Sequence, residues 1–437
     1  MGIDVSAKSL LEGLIVDDRE RGIFRVNRRV FTDPEILALE RERIFNKCWL
    51  YLGHTSELPK PASFVTRNVA GREILFNRDR DGGLNAFYNT CSHRGAMVCR
   101  ERSGRRPSFQ CPYHGFVFDD KGHLVHVPGE DALPNHINAD GSLNLQKVPQ
   151  LADYRGFVFF NFDRNAEGLD SYLADAKEYL SYVADQGEHG MEIVRGMQEY
   201  SAKANWKLLQ ENSADGYHAA VTHSTYFDYV KARDGNLPAF DPSITFGRLR
   251  PLGNGHVVGE SIGAMPWGRP CARWVPGWGE DAKQEVAELA RRTVERLGPE
   301  RGRVVTTGDR NLLIFPNLVV NDIMAVTVRT YQPMAQDFFH ITAWELAPIG
   351  ESTASRDRRN QNYLEFLGPA GFATPDDVEM LEVCQRGYSN AGGAVWNDCS
   401  RGMHRKTDVK SDELQIRTYW RRWLQLMTGA ENEVTGP

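Results

Sequence analysis

Residues 91–116 read CSHRGAMVCRERSGRRPSFQCPYHGF and contain two cysteine–histidine pairs, Cys91 with His93 and Cys111 with His114. Each pair lies between short runs of β-branched and aromatic residues, which predicts a loop between two strands for each pair. Two thiolates and two imidazoles can hold a structural zinc ion, or a [2Fe–2S] cluster with the cysteines on one iron and the histidines on the other. In a Cys₂His₂ zinc finger both cysteines precede both histidines, whereas here each loop supplies one residue of each type. The pattern therefore favours the asymmetric cluster.

The residues around the two pairs suit the same cluster. Gly95, Pro112 and Gly115 let the backbone pass close to the irons, where amide N–H groups can donate to the sulfurs and raise the potential. Tyr113 adds a hydroxyl donor. Because two neutral histidines replace two thiolates, such a cluster is less negative and easier to reduce. The sequence thus predicts a domain that accepts electrons.

The cluster-bearing segment belongs to a β-rich region over residues 48–163. Short strand-like runs alternate there with turn signals such as Asp81-Gly82-Gly83. Before this region, Asp33 and Pro34 indicate the N-cap and first turn of a helix. We therefore expect a separate β domain, preceded by a first segment over residues 1–47.

Residues 164–437 mix helix and strand patterns. Apolar residues recur at helical spacing over 169–183, 286–297 and 414–426, with strand-like runs between them. Helices and strands do not alternate strictly, which disfavours a doubly wound parallel sheet and favours an α+β fold.

Composition excludes several classes of protein. Hydrophobic residues make up 41% and charged residues 25% of the 437 residues, as in globular proteins. No run approaches the roughly 20 apolar residues of a membrane-spanning helix, and no secretory signal is visible, so we expect a soluble, cytoplasmic protein. A net charge of -6 argues against a nucleic-acid binder. The sequence also lacks the glycine-rich motifs of nucleotide-cofactor sites.

A second candidate metal site lies in residues 205–223. The segment 205–218 is predicted to be helical, and Asn212, Asp215 and His218 recur in it at steps of three, which places them on one side of the helix. His223 follows just beyond. Two histidines joined by a carboxylate favour metal ligation over ordinary core packing. Two imidazoles and one carboxylate leave positions open on iron(II) for dioxygen, so the third ligand must be an Asp or Glu from elsewhere.

Asp376 and Asp377 are candidates for that third ligand. Their segment also has a purely structural explanation, because Thr374 and Asp377 match a capping box and Pro375 suits the first turn of a helix. Both acids would also be favoured at a helix N-terminus. The residue pattern alone leaves these explanations balanced.

Four motifs together resemble those of the Rieske non-haem iron aromatic-ring-hydroxylating dioxygenases, large (alpha) subunit. They are Cys91-x-His93, Cys111-x-x-His114, Asp215-Gly216-Tyr217-His218-x4-His223 and GPAGFATPDD at residues 368–377. The resemblance covers essentially the whole chain. It implies a Rieske-type [2Fe–2S] β domain over residues 48–163, inserted in a helix-grip (START-like) α+β catalytic domain formed by residues 1–47 and 164–437. It also implies His218, His223 and Asp377 as ligands of a mononuclear Fe(II).

The resemblance further implies how subunits and partners work together. Asp215 matches an aspartate that bridges, across a subunit boundary, from the iron histidine to a Rieske histidine, here His114. This arrangement implies a trimer, either α3 or, with a small beta subunit, α3β3. Electrons from NADH would arrive through a reductase, with or without a ferredoxin.

Residues 17–26 and 396–403 look most like the p-cumate, benzoate and anthranilate dioxygenase branch. We therefore expect cis-dihydroxylation of an aromatic carboxylate, such as p-cumate or a benzoate, in aromatic catabolism. The alternatives are a Rieske monooxygenase (a hydroxylase such as salicylate hydroxylase, or a dealkylase) and a polycyclic-aromatic-hydrocarbon dioxygenase. An electron-transfer protein that uses only the cluster is disfavoured by the complete second site. One departure is Phe116, where many members have tryptophan, which changes the packing near the cluster.

Position alone suggests residues of a substrate pocket. Asn212 and Ser213 precede the iron histidines, and Leu367 and Ala373 flank the Gly-Pro-Ala-Gly turn, at positions that line the substrate channel in similar proteins. Ordinary core packing explains these four residues equally well.

A substrate carboxylate would be expected to pair with a buried arginine. Arg248, Arg250 and Arg386 are candidates for that arginine. Nothing in the sequence selects one of them.

Overall fold

The computed structural model describes residues 5–134, 137–234, 247–262, 274–390, 393, 395–406 and 409–429. The chain divides into two units: Met1–Phe45 with Asp170–Pro437, and Asn46–Leu169. The second unit is inserted into the first in chain order. The sequence predicts domain boundaries after residues 47 and 163.

Helices dominate the first unit. The α-helices are α1 (Val5–Leu11), α2 (Arg29–Thr32), α3 (Pro34–Glu40), α4 (Leu169–Leu173), α5 (Ala176–Ala184), α6 (Trp206–Asn212), α7 (Ala219–Thr222), α8 (Ser224–Asp234), α9 (Glu280–Leu297), α10 (Pro299–Thr307), α11 (Thr353–Phe366), α12 (Ala373–Tyr388) and α13 (Leu414–Thr428). Asp33 caps α3 as predicted, since its carboxylate accepts from Glu35 N at 2.9 Å. The pattern over 169–183 forms two helices rather than one, because Ala174 between them has φ +45°. Within the described residues, no helix combines the length and apolar character needed to cross a membrane.

The strands form antiparallel pairs in both units. They are β1 (Ile15–Asp18), β2 (Ile23–Asn27), β3 (Leu50–His54), β4 (Ser63–Val69), β5 (Arg72–Arg78), β6 (Leu84–Tyr88), β7 (Ser103–Arg105), β8 (Ser108–Gln110), β9 (Val117–Asp119), β10 (Leu124–His126), β11 (Gln150–Tyr154), β12 (Phe157–Asn161), β13 (Met191–Ile193), β14 (Gln198–Ala202), β15 (Gly247–Pro251), β16 (Val257–Ile262), β17 (Gly308–Ile314), β18 (Leu318–Asp322), β19 (Val326–Ala335), β20 (Phe338–Pro348) and β21 (Trp396–Asp398). The combination of separate helices with antiparallel strands confirms the predicted α+β class.

The inserted unit is built from small sheets. Their strand orders are β6-β5-β4-β7, β10-β9-β8 and β11-β12-β3. Aromatic side chains from these strands, including Phe64, Phe87, Phe109 and Phe118, form one core together with both cysteines of the predicted cluster. Burial of these rings is the main force that holds such a small unit together.

The other unit is organised around an eight-stranded sheet. Its order is β13-β20-β19-β18-β17-β16-β15, with β14 also paired to β20. Helix α13 packs against β15 and β16 through an apolar stripe. The stripe consists of Ile416, Tyr419, Trp420, Trp423 and Met427. A long helix lying against an antiparallel sheet is the arrangement expected of a helix-grip domain.

Helix α6 is held by a buried polar network. Glu40 and Lys207 are both fully buried and form an ion pair at 2.8 Å. The indole N–H groups of Trp206 and Trp423 donate to the same Glu40 carboxylate, at 2.8 Å and 2.7 Å. A buried carboxylate with this many partners fixes the position of the helix that leads into the second predicted metal site.

Candidate metal centres

The two cysteine–histidine loops have the same backbone geometry. In each loop the cysteine N–H donates to the carbonyl five residues later, at 2.8 Å for Cys91 and 2.7 Å for Cys111. The glycine four residues after each cysteine donates back to the cysteine carbonyl. Both glycines, Gly95 and Gly115, have positive φ values of +77° and +74°, a conformation that favours glycine. The first loop joins β6 to β7 and the second joins β8 to β9, as predicted.

The predicted ligand side chains of these loops have a burial that suits an asymmetric cluster. Cys91 and Cys111 are buried in the core, whereas His93 is exposed and His114 is half-buried. The two imidazole rings lie together, with centroids 4.6 Å apart. Burial raises the pKa of the Cys91 thiol, so its binding to iron as a thiolate releases a proton. Two inner thiols and two outer imidazoles form a donor set that fits a [2Fe–2S] cluster with unlike irons.

Phe116 has a defined role in this packing. Its ring stacks on that of His93, with centroids 4.7 Å apart and an interplanar angle of 5°. Tyr113 lies over the other histidine, His114, at 3.7 Å between centroids. The departure noted in the sequence therefore retains an aromatic face against a predicted cluster ligand.

Three predicted ligands of the second site meet in the other unit. His218 Nε2 and His223 Nε2 are 3.3 Å apart, and Asp377 Oδ1 lies 3.4 Å and 3.3 Å from them. His223 and Asp377 are buried, and His218 is half-buried. An ion with bonds of about 2.1 Å at right angles holds neighbouring ligand atoms about 3 Å apart. The three atoms therefore fit one face of an octahedral Fe(II) site, with the opposite positions left for other ligands.

The predicted helix over residues 205–218 is wrong in its extent. Helix α6 ends at Asn212, and α7 begins only at Ala219. His218 and His223 are the N-cap and C-cap of α7. The two imidazoles thus converge because they flank one short helix, and not because they share the face of a long one.

Local interactions explain why α6 ends early. Ser213 Oγ donates to Leu209 O at 2.6 Å, which takes up a carbonyl in the last turn of the helix. Asp215 Oδ1 accepts from Tyr217 N at 2.6 Å and forms a turn. A Cβ on Gly216 would lie only 2.7 Å from the Lys410 carbonyl oxygen, so the backbone at residue 216 packs directly against the backbone at residue 410.

Asp377 comes from the first part of α12. The predicted capping box is absent, because α12 begins at Ala373 and Thr374 Oγ1 donates instead to Leu367 O at 2.9 Å. Asp377 is turned toward the two histidines. The geometry brings Asp377, and not Asp376, to the two Nε2 atoms, and its role as the third metal ligand stays a prediction.

Two further carboxylates contact the outer nitrogens of the histidines. Asp215 Oδ2 lies 3.3 Å from His218 Nδ1, and Asp376 Oδ2 lies 3.4 Å from His223 Nδ1. Such carboxylates fix the tautomer and orientation of a ligand histidine. Asn212 Nδ2 donates to Asp377 Oδ1 at 3.0 Å, so Asn212 lies against a predicted metal ligand. The sequence predicts Asp376 only as a candidate ligand or a helix-terminal acid, and its contact with His223 is visible only in the fold.

Comparison with known proteins bears on both sites. Residues 48–137 match the family model of the Rieske [2Fe-2S] domain. Residues 185–429 match the model of the ring hydroxylating alpha subunit (catalytic domain). This chain belongs to the ring-hydroxylating alpha-subunit family. It is a Rieske non-haem iron dioxygenase subunit, an oxidoreductase whose cofactors are a [2Fe–2S] cluster and a mononuclear iron.

Individual relatives are similar to this chain over most of its length. The chain is 35% identical to toluate 1,2-dioxygenase subunit alpha of Pseudomonas putida, over 90% of this chain and 84% of the relative. It is 32% identical to the 2-halobenzoate 1,2-dioxygenase large subunit of Burkholderia cepacia, over 91% and 84%. The structure of naphthalene 1,2-dioxygenase from Rhodococcus sp. matches with a TM-score of 0.80 at 28% identity, covering 93% of this chain and 95% of that chain. The predicted Rieske and catalytic domain architecture is therefore confirmed.

The charges at the triad of the alpha subunit predict how its metal-free form responds to pH. Burial by itself lowers the pKa of His218, but the carboxylates of Asp215 and Asp377 outweigh burial and raise that pKa to about 10. A raised pKa stabilises the fold fully below the unfolded value and loses this effect as pH rises through the folded value. We expect the stability difference between metal-free wild type and His218→Gln to shrink from pH 6.5 to about pH 10 in urea unfolding.

Metal binding provides the complementary measurement. Since the proton on His218 must leave before the nitrogen can bind iron, the affinity for Fe(II) should rise over the same pH range. A stability difference that stays constant across this range would show that His218 does not carry the proton.

The remaining predicted pocket residues lie close to the same helices. Ser213 is buried and its hydroxyl is already bound to the α6 backbone. Leu367 and Ala373 are buried at the connection between α11 and α12. Their contact with substrate stays a prediction.

The expectation of a buried arginine among the three candidates is wrong. Arg250 is 52% exposed and pairs with Glu260 at 3.2 Å. Arg386 is 65% exposed and pairs with Glu379 at 3.2 Å, and Arg248 is also exposed. Water screens charges in such positions, so these arginines are poor anchors for a substrate carboxylate.

Proposed function

We propose that this alpha subunit is the oxygenase component of a multicomponent enzyme that cis-dihydroxylates an aromatic carboxylate, of the p-cumate or benzoate class. The supporting observation is the triad of His218, His223 and Asp377, whose ligand atoms lie within 3.4 Å of one another in a chain that also has a Rieske domain. The names of two relatives, toluate and 2-halobenzoate dioxygenases, support an aromatic acid as the substrate.

Each cofactor has its own ligand set in this proposal. The cluster ligands are Cys91, His93, Cys111 and His114, and the iron ligands are His218, His223 and Asp377. When bound, the cluster supplies single electrons and the mononuclear iron activates dioxygen. The protein contributes the orientation of these ligands, the shape of the pocket and the exclusion of water.

An aromatic cluster beside the triad supports an aromatic substrate. The ring of Phe366 lies 5.9 Å from that of His223 and 4.6 Å from that of Tyr226. Phe372 and Met324 pack against the same group. An apolar wall of this kind binds a flat ring and keeps water away from the reacting positions.

Partners are part of the proposal. An NADH-dependent reductase, with or without a ferredoxin, is the proposed electron source, and a small beta subunit is the proposed structural partner in an α3β3 or α3 assembly. Electron transfer would run between neighbouring subunits, from His114 of one to Asp215 of the next. The accessible position of the two Rieske histidines on the isolated chain supports such docking. Native mass spectrometry after co-expression with a beta subunit tests the assembly.

Product analysis under ¹⁸O₂ tests the reaction. The reconstituted enzyme should convert a benzoate into a cis-dihydrodiol that carries two labelled oxygens. One labelled oxygen would indicate the monooxygenase alternative, and oxidation of polycyclic hydrocarbons alone would indicate the hydrocarbon branch. A cluster that cycles between redox states without any oxygenated product would indicate an electron-transfer protein.

Asp215→Asn tests the carboxylate behind His218. The substitution preserves shape but removes the charge that lies 3.3 Å from His218 Nδ1. We expect the rate of dihydrodiol formation to fall by about 10- to 100-fold, as for other outer partners of ligand histidines, while cluster absorption is retained. Asp228→Asn, at an exposed position of α8, is the control and should leave the rate unchanged. An Asp215→Asn enzyme of full activity would remove Asp215 from the proposal.

A further inference from the structure

One face of the eight-stranded sheet presents polar side chains to helices α6 and α11, which precede the helices that bear the triad in the chain. Directly paired residues of antiparallel strands point to the same face of a sheet. Asn311 pairs with Asn321, Asn321 with Thr327, and Thr327 with Glu345. These four residues therefore form one row across the sheet. Arg329 occupies the next row on that face, and Tyr331 the row after it. We call this the inner face, defined by Asn311, Asn321, Arg329, Tyr331 and Glu345.

Arg329 is a buried cation of this inner face. It is 3% exposed, and its Nη2 donates to Asn321 Oδ1 at 2.7 Å. Its Nε is buried and has no hydrogen-bond partner. Within the described parts of the chain no carboxylate forms an ion pair with it, although Glu345 lies in the adjacent row. An unpaired buried charge is costly, and a bound anion would remove that cost.

Helix α6 places Arg329 opposite the segment that leads into the triad. The Tyr331 hydroxyl donates to Gln210 of α6, which lies over the row on one side of Arg329. On the other side of Arg329 lies the row of Asn311, which includes its partner Gly259. The Ala214 carbonyl oxygen lies 3.7 Å from the point that a Cβ on Gly259 would occupy. The segment from Gln210 to Ala214 covers the row of Tyr331 and the row of Asn311. Arg329 lies in the row between them, beneath the same segment.

Helix α11 connects the same face to the iron site. Tyr363 is buried with an unpartnered hydroxyl; burial and the charge of Glu345 raise the pKa of Tyr363, and the charge of Arg329 acts against that rise. Phe366 follows three residues later on the same side of the helix, and its ring lies 5.9 Å from that of His223. One side of α11 thus runs from the surroundings of Arg329 to a predicted iron ligand.

We propose that Arg329 binds the carboxylate of the aromatic substrate and thereby determines which ring carbons face the iron. This inference rests on the proposed function. A guanidinium matches a carboxylate in shape and charge, and such pairs are strong where water is excluded. The unpartnered Tyr363 hydroxyl offers a second donor to the same anion. No pattern in the sequence selects Arg329, because strand register sets its position.

Calorimetric binding of benzoate and benzamide to the assembled, iron-loaded protein tests the inference. The two ligands have nearly the same shape, and only benzoate carries a charge. Wild type should bind benzoate more tightly than benzamide. In Arg329→Gln the affinity for benzoate should fall by at least about 30-fold, while that for benzamide changes little. Arg386→Gln, at the exposed arginine paired with Glu379, is the control and should change neither affinity.

Folding is followed in the same samples. Removing the buried charge of Arg329 relieves a desolvation cost that offsets the lost hydrogen bond to Asn321, so Arg329→Gln should keep the Rieske absorption and a Tm close to that of wild type. Equal loss of both ligands, or unchanged affinity for benzoate, would overturn the inference. Wild type that binds benzamide as tightly as benzoate would overturn it without any variant.

Failure of this inference is distinguishable from failure of the proposed function. If Arg329→Gln weakens benzoate binding but the wild type forms no dihydrodiol, the proposed reaction is contradicted and the carboxylate site is supported. A protein that forms dihydrodiols from neutral arenes and binds benzoate no better than benzamide contradicts the role of Arg329 and supports the dioxygenase.

Discussion

Asp377→Asn is expected to remove the mononuclear iron and to lower dihydrodiol formation at least about 1000-fold, with the Rieske cluster still present. Asp377 Oδ1 lies within 3.4 Å of both histidine Nε2 atoms, and it is the sole carboxylate of the described triad. An amide has nearly the same shape but no charge to offset that of the ion. Iron analysis should fall from about three to about two per chain, and the EPR signal of the reduced cluster should persist.

The neighbouring residue provides a matched control for this substitution. Asp376 is 37% exposed and contacts His223 through the outer Nδ1 nitrogen at 3.4 Å. Asp376→Asn should therefore retain the iron and lose about 10-fold in rate, as expected for an outer partner. If Asp376→Asn lost the iron and Asp377→Asn kept it, the two residues would have to exchange roles.

The sequence predicts correctly those parts of the molecule whose structure depends on residues close together in the chain. Each Rieske loop carries its cysteine and histidine within a few residues, together with the glycine that lets the chain turn back. Helix α13 was visible from its apolar spacing alone. In these segments the interactions that fix the structure are formed between near neighbours in the chain.

The parts that the sequence missed depend on distant contacts. The early end of α6 depends partly on Gly216, which passes close to Lys410 from another part of the chain. The choice between Asp376 and Asp377 required knowing which way α12 faces the histidines. Arg329 has no local signal at all, because only the register of β18, β19 and β20 brings it beneath the segment after α6. The sequence shows which chemical groups such side chains carry, but it does not show which distant residues they contact.

Cys111→Ser is expected to abolish the Rieske cluster and with it NADH-driven turnover, again by at least about 1000-fold. Cys111 is buried in the core of the inserted unit, in a loop whose geometry matches that of Cys91. Serine has a similar volume but does not ionise to a soft thiolate, so the iron held by both cysteines loses half of its protein ligands. Iron should fall to about one per chain, the visible absorption should disappear, and the Tm should drop because metal binding contributes to folding.

Cys99→Ser separates loss of the cluster from simple disturbance of this core. Cys99 is buried in the same group of side chains, and its Sγ lies 3.5 Å from a carboxylate oxygen of Glu101. A serine there changes volume and polarity as much as it does at position 111, yet the cluster and the turnover should survive. If both variants lost the cluster equally, packing would explain the result and Cys111 would not be identified as a ligand. If only Cys111→Ser lost it, the effect must come from the thiolate, since burial and size are matched between the two sites.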